Sequence, residues 1–328
     1  MDKWVAITGC NGYIGGQTVL KFKDLGYKII GVDRNLTSPW IKELVDVFVN
    51  GDFNNPLFVK MVVDNNPDAL IHIAGTSLVG PSVTDPAPYY FNNVGNTAKL
   101  LGNLAEKSWT KTIVFSGSAA VYGDPGTGLL TENSPMIPIS PYGQSKLMAE
   151  QVLRDCATAY GFTTVSLRYF NACGADTKTR HGQLKQATHL IARIMESIVN
   201  KDVFTLNGTD YDTPDGTCVR DYLYVGDIAN AHYLATEYGK IHTGSVEFNL
   251  GTGRGTSIKQ IIESVERITG KKVSVHTGPK REGDPAILIA MPYKAKRDLG
   301  WEATDSNIDN IVETAWAWYN SKEYKNKA

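Results

Sequence analysis

Three side chains in this sequence have the types and spacing to move a proton at an alcohol carbon: Ser118, and the pair in Tyr142-Gly-Gln-Ser-Lys146. On a helix, residues i and i+4 share a face, so the Lys146 ammonium is expected near the Tyr142 phenol. A phenol with a pKa near 10 is a poor base at neutral pH, and a neighbouring cation favours its phenolate. Tyr142 is then placed to take the proton of an alcohol while the carbon beneath gives hydride to a nicotinamide. Such spacing is common on exposed helices, so the chemistry needs a dinucleotide site in the same chain.

That site is written in Thr8-Gly9-Cys10-Asn11-Gly12-Tyr13-Ile14-Gly15, a G-x-x-G-x-x-G turn between a strand and a helix. Glycines let the backbone turn sharply and approach a pyrophosphate, and the helix start offers N–H donors to the anion. Asp33 ends the next strand, at the spacing where an acid meets an adenosine ribose. Its carboxylate would accept from a 2′-hydroxyl and repel a 2′-phosphate, which favours NAD over NADP. Arg34 is the dissenting neighbour, because a guanidinium there could hold that phosphate.

The elements that must position these groups are legible as alternation. Strands are expected at Val5–Thr8, Lys28–Asp33, Val47–Asn50, Ala69–Ala74, Thr112–Ser116 and Val165–Tyr169, and helices at Ile14–Leu25, Pro56–Asn65, Asn92–Lys107 and Tyr142–Tyr160. Strands apolar on both faces that alternate with helices imply an α/β fold, a doubly wound parallel sheet sandwiched by helices. After about Ala175 the regularity fails. A helix over Gln186–Asn200, a strand over Val246–Leu250 and a helix over Ser257–Thr269 then suggest a smaller mixed α/β lobe. The expected division is a nucleotide-binding Rossmann domain over 1–175, rejoined by a strand near 245–250, and a substrate domain over 176–328. The tail Lys322–Ala328 is expected to be solvated.

Composition narrows the partners. The chain has 328 residues, with 33 Lys+Arg against 34 Asp+Glu, a net charge of −1. That balance offers no general attraction for nucleic acid or anionic membrane. No uncharged apolar run approaches the roughly 20 residues that span a bilayer. Cys10, Cys156, Cys173 and Cys218 show neither a disulfide framework nor metal-ligand spacing, so no metal site is expected. Reduced thiols and an N-terminus without a leader-like run point to the cytoplasm.

Strings along nearly the whole chain carry a family resemblance: Thr8–Gly15, Gly51-Asp52-Phe53, His72-Ile73-Ala74-Gly75, Tyr89–Val94, Phe115–Gly123, Ser140–Lys146, Arg168–Asn171, Asp215–Tyr222, Asn249–Gly253 and Arg281–Asp284. The sequence resembles the extended short-chain dehydrogenase/reductases, most closely the UDP-glucose 4-epimerase family. The resemblance implies that Gly9, Asn11, Gly12, Tyr13, Ile14 and Gly15 cradle the NAD pyrophosphate. It implies that Asp33, Arg34 and Asn35 surround the adenosine ribose and that Asp52 and Phe53 flank the adenine. Ile73, Ala74, Gly75 and Asn93 would line the cofactor channel, and Tyr169 would lie by the nicotinamide. Asn171, His189 and Leu190 would sit near uracil and diphosphate, Arg220 and Arg281 on the phosphates, and Asp284 on the uridine ribose. The implied mechanism oxidises the hexose at C4 with tightly held NAD, swings the 4-keto sugar about its diphosphate, and returns hydride to the other face. Family dimers pair helices corresponding to Asn92–Lys107 and Tyr142–Tyr160, so a homodimer is implied as well.

Departures and rivals are visible too. Ser77 stands where many epimerases have a lysine. Related dehydratases carry an Asp-Glu pair after the Ser/Thr of this strand, because loss of water needs a further acid and base, whereas this chain has Ala119 and Ala120. A dinucleotide-binding sensor without turnover would have no reason to keep Ser118, Tyr142 and Lys146 together. The position that limits sugar size in some epimerases corresponds to Leu288, or Ile287 with a one-residue slip, leaving UDP-N-acetylhexosamines open beside UDP-glucose and UDP-galactose. UDP-xylose and UDP-glucuronate forms stay open as well. His72 reads as a buried strand residue and His189 equally as a satisfied helix histidine.

Overall fold

The computed structural model describes residues 2–35, 38–126, 128–280 and 284–327. Seven parallel strands form its main sheet: β1 (Trp4–Thr8), β2 (Lys28–Asp33), β3 (Val47–Asn50), β4 (Ala69–His72), β5 (Thr112–Ser118), β6 (Thr163–Tyr169) and β7 (Gly244–Leu250), in the spatial order β7-β6-β5-β4-β1-β2-β3. The strands read as continuous apolar runs because helices cover both faces. Val5, Ile7, Ile29, Ile71 and Leu167 share one core with Val19 and Phe22 of the Tyr13–Asp24 helix and Ile228 of the Val225–Gly239 helix. The alternating residues Ala6, Ile30, Leu70 and Ile113 face the other way, onto Phe58, Leu100, Ala149 and Leu153 from the helices Pro56–Asn65, Asn96–Glu106 and Pro141–Tyr160. The expected doubly wound sheet is therefore present. Its order reverses between β1 and β4, where the carboxyl ends of strands leave a crevice.

The second half returns β7 to this sheet, pairing Gly244–Leu250 with Thr163–Tyr169. Its remaining strands are short. Thr256–Ser257, Val219–Arg220, Ile287–Ala290 and Leu129–Leu130 make a small mixed sheet, and Asn171–Cys173 pairs in parallel with Tyr222–Tyr224. A separate core lies beneath, with Ile194, Met195, Tyr222, Ile261, Ile311 and Trp318.

Three expectations about elements change. The helix expected over Gln186–Asn200 begins at Leu190, after His189 in extended conformation. The segment expected as one helix from Asn92 opens as a π-helix over Tyr90–Gly95 before the α-helix Asn96–Glu106. The C-terminal segment, expected to be a solvated tail, is helical over Lys322–Lys327: Lys322, Glu323, Lys325 and Asn326 are exposed as expected, whereas Tyr324 is buried with its ring 4.6 Å from Tyr319 and 5.9 Å from Trp318.

Candidate active site

The glycine turn sits at the crevice. Gly9 has φ +68° and packs so closely on β4's end that a Cβ there would lie 2.9 Å from the Ala74 nitrogen. A Cβ on Gly15 would lie 1.9 Å from the Gly9 carbonyl oxygen. Gly12 precedes the Tyr13–Asp24 helix and gives it no side-chain cap, so the first N–H groups remain for an anion. The Thr8 hydroxyl ties the two strands: it accepts from the Ile73 and Ala74 backbone nitrogens at 3.1 Å each and meets His72 Nδ1 at 2.8 Å. With both N–H bonds accepted, the Thr8 proton goes to Nδ1, so His72 is protonated at Nε2 and donates to Thr97 at 3.0 Å. Burial pushes the His72 pKa down to about 3, with the Lys146 charge adding to it. His72 is a neutral structural strut.

Asp33 Oδ2 accepts from the Asn11 backbone nitrogen at 2.9 Å and Oδ1 from that of Asn35 at 3.0 Å, and the Asn11 amide donates to the Asn35 carbonyl at 3.2 Å. Arg34 lies 3.9 Å from the Asp52 carboxylate, an acidic neighbour that a phosphate would have to displace. Phe53 is buried edge-on against His72, with centroids 4.8 Å apart. Asn93, on the π-helix, accepts from the Thr76 nitrogen at 2.8 Å and donates to the Thr76 carbonyl at 3.0 Å and to Ser145 at 2.9 Å. Its carbonyl oxygen lies 2.9 Å from where a Gly75 Cβ would be. π-Turns recur at functional sites because they re-aim side chains. Here one pins the channel to the Tyr142 helix. These cradles fit a dinucleotide.

Ser118 ends β5, and Tyr142 and Lys146 lie in the first turns of the Pro141–Tyr160 helix. Pro141 at its first position and Ser140, whose hydroxyl accepts from the Gly143 nitrogen at 3.2 Å, fix where that helix begins. The Ser118 oxygen accepts from the Ala120 nitrogen at 3.2 Å, and its side chain lies beside the Tyr142 phenol, whose ionised form it favours. The electrostatics differ from the sequence expectation. Burial raises the Tyr142 pKa above the ordinary phenol value, and Ser118 is what opposes it. Lys146 is buried and donates to the Ser116 carbonyl at 2.8 Å, with Nζ 4.8 Å from the Phe115 ring centre and 3.6 Å from where a Gly75 Cβ would be. Burial brings its pKa down to about 8, against the pull of Glu150 one turn later. The ammonium is thus anchored beneath the cofactor channel.

Tyr169, at the end of β6, is buried and hydrogen-bonded to His232, with Ser116 beside it. The Tyr89 ring stands edge-on to Tyr142, 6.4 Å away. Asn171 follows on the Asn171–Cys173 strand, its nitrogen donating to the Asp221 carbonyl at 2.9 Å. His189 precedes Leu190 at the start of the Leu190–Asn200 helix, where its ring faces Tyr13 at 5.3 Å and Nδ1 meets the Gln183 amide; burial lowers its pKa to about 4. Tyr13 in turn donates to the Gly174 carbonyl at 2.7 Å. Arg220 and Asp284, assigned from sequence to different parts of one nucleotide, form an ion pair. Arg220 also donates to the carbonyls of Val219 at 2.9 Å, Pro285 at 2.6 Å and Ala286 at 3.3 Å. Arg281 lies outside the described residues. Thr8, Tyr89 and Ser116 lie inside strings that carry the resemblance but had no role assigned to them, whereas His232 lies outside those strings and joins the site only through long-range contacts.

The model of the NAD dependent epimerase/dehydratase family matches residues 5–251. The chain is 42% identical over 319 residues to the UDP-glucose 4-epimerase of Halalkalibacterium halodurans, covering 96% of this chain and 95% of that one. Its structure resembles that of UDP-glucose 4-epimerase from Brucella ovis in complex with NAD, with TM-score 0.90 and 41% identity over 96% of this chain and 97% of that chain. It likewise resembles the Bifidobacterium longum UDP-glucose 4-epimerase in complex with NAD+ and UDP, with TM-score 0.90 and 34% identity over 98% and 99% of the two chains. Cradle, doubly wound sheet and full-length similarity agree, and the chain belongs to the NAD-dependent epimerase/dehydratase family.

Proposed function

We propose that the protein is an NAD-dependent 4-epimerase of UDP-hexoses, interconverting UDP-glucose and UDP-galactose, with Tyr142 as the base. The observation that carries this reading is the Tyr142 phenol placed beside Ser118 at the end of β5, on a helix that Asn93 and Lys146 tie to the glycine-lined crevice. NAD bound in that crevice supplies the acceptor that takes hydride from the sugar and gives it back. Tyr142, as its phenolate, takes the proton of the 4-hydroxyl, holds it as the neutral phenol while the sugar is a ketone, and returns it, and Ser118 steadies the phenolate from which the cycle starts and in which it ends. Lys146, charged below about pH 8, holds the Ser116 backbone and places a cation under the site. Arg220 and Asp284 serve the diphosphate and ribose of UDP, with Asn171, His189, Leu190 and Arg281 completing that end. Gripping the nucleotide leaves the sugar free to turn over between the two transfers.

Ala119 and Ala120 follow Ser118 as a 3-10 turn without an acid, which disfavours dehydration. Leu288 favours a second substrate class. It packs with the buried cluster of Ala119, Tyr122 and Phe170 next to Ser118, and an aliphatic side chain there leaves more room than a tyrosine, so UDP-N-acetylhexosamines are included as substrates.

The same reading takes the protein as a homodimer through the Asn96–Glu106 and Pro141–Tyr160 helices, supported by the exposed Phe91 and Met148 on and beside them. It also takes the protein as cytoplasmic, supported by four free cysteines. Among the described residues no helix is long and apolar enough to cross a membrane.

Tyr142→Phe tests the base. Epimerisation is expected to fall by about a hundredfold or more, while NAD released from the denatured variant stays equal to that of the unmodified protein. Turnover within a few-fold of normal rules Tyr142 out.

A further inference from the structure

Phenols converge on this site from different elements: Tyr89, Tyr142 and Tyr169. Proton transfer through one of them requires that the others be committed elsewhere. Tyr89 donates to the Leu78 carbonyl. For Tyr169 the commitment runs through a histidine with no part in the chemistry above.

His232 lies on the Val225–Gly239 helix, fully buried. Its Nε2 faces the Tyr169 hydroxyl with the rings nearly perpendicular at 87°, and its Nδ1 lies 3.1 Å from the Thr18 hydroxyl. Thr18 sits on the Tyr13–Asp24 helix and gives its only hydroxyl proton to the Ile14 carbonyl at 2.9 Å. The Thr18 oxygen can therefore only accept from the imidazole, so Nδ1 carries the proton and Nε2 presents a lone pair. Tyr169 must then donate to Nε2, where its one hydroxyl proton is spent. Burial holds the imidazole neutral, its pKa pushed down to about 3. One hydrogen-bonded line thus runs from Tyr169 through His232 and Thr18 to the first turn of the glycine-loop helix.

We propose that His232 is a positioning residue: by its fixed Nδ1–H tautomer it takes the Tyr169 proton, holds that hydroxyl away from the reacting alcohol, and leaves proton transfer to Tyr142. The inference rests on the epimerase reading for its kinetic consequence and on geometry alone for the tautomer.

The tautomer is read directly by long-range proton–nitrogen correlation on the unmodified protein labelled with 15N-histidine. The expected spectrum shows His232 protonated at Nδ1, and protonation at Nε2 or at both nitrogens overturns the proposal. The kinetic test is a double-mutant cycle. His232→Asn keeps a group near Thr18 but loses the acceptor for Tyr169, and is expected to lower kcat by about 10- to 100-fold, the loss expected from misplacing a site group, with KM changed less than about twofold. In a Tyr169→Phe background the same substitution is expected to add less than about twofold, because no hydroxyl remains to be held. Equal losses in both backgrounds make His232 merely structural. Should the unmodified protein turn over no UDP-hexose, the epimerase reading fails, and the spectrum still decides the arrangement of His232.

Discussion

The Lys146 ammonium lies 2.8 Å from the Ser116 carbonyl, on the same strand that ends in Ser118. It thus stabilises the strand end that presents the hydroxyl, and it does so as a buried charge. Folding disfavours that charge: the pKa in the folded chain, about 8, is below the ordinary lysine value near 10.4. Between those values the unfolded chain binds more protons, so stability contributed by this site rises with pH through that window. The unfolding free energy of the native protein minus that of Lys146→Met, measured by denaturant titration, is expected to be lowest below pH 8 and to climb toward pH 10. A difference that does not vary with pH contradicts a buried, charged Lys146.

Glu150, one turn further along the helix, makes a bidentate pair with Arg168, whose side chain is 2% exposed against 0% for the glutamate. Arg168 also donates to Tyr122 at 2.9 Å, and Tyr122 to Asn249 at 2.7 Å. Neutralising one partner leaves the other charge buried. Glu150→Gln is expected to destabilise the protein by about 3–5 kcal/mol in denaturant titration. Losses under about 1 kcal/mol would show the pair to be better solvated than its burial implies.

Asp33 receives the Asn11 and Asn35 backbone nitrogens and so shapes the turn as well as the acid site. Asp33→Ala removes charge-assisted bonds, with an expected loss of about 1.5–3 kcal/mol in NAD affinity and a gain for NADP, whose 2′-phosphate no longer meets a carboxylate. After exchange against an equimolar mixture, chromatography of the released cofactor is expected to give NAD from the native protein and a mixture from the variant. Retention of NAD alone by Asp33→Ala would move selectivity to other residues.

Leu288 pairs in register with Arg220 across neighbouring strands, which brings the position proposed to limit sugar size beside the arginine proposed to hold the diphosphate. Leu288→Tyr is expected to cut turnover of UDP-N-acetylglucosamine by about tenfold or more while UDP-galactose turnover stays within about threefold, since overfilling penalises the larger substrate. Equal effects on both sugars would place the gate elsewhere.

Much of the fold is legible in local pattern. β1 to β6 carry continuous apolar runs because both faces are covered, and Gly9, Gly12, Gly15 and Asp33 mark the crevice at the spacing a pyrophosphate and ribose require. Legibility ends where geometry is set at long range. The two-residue strands Leu129–Leu130, Val219–Arg220 and Thr256–Ser257 exist only through their pairing, and the buried Tyr324 is held by aromatics that its own segment does not contain. Within the site, the spacing of Tyr142 and Lys146 is readable, but the sign of the phenol's shift is not. It depends on how deeply the helix start is buried: burial raises the phenol, and what opposes it is Ser118 rather than the cation expected on the same face. His232 lies 63 residues from Tyr169 and 214 from Thr18 along the chain, which is why no motif announces it.

Proton NMR of the purified protein mixed with UDP-galactose and no added cofactor tests the central claim most directly. The expected result is loss of the galactosyl anomeric signal and growth of that of UDP-glucose to a fixed ratio, reached from either sugar. A spectrum unchanged after prolonged incubation, with saturating NAD supplied as well, would contradict it.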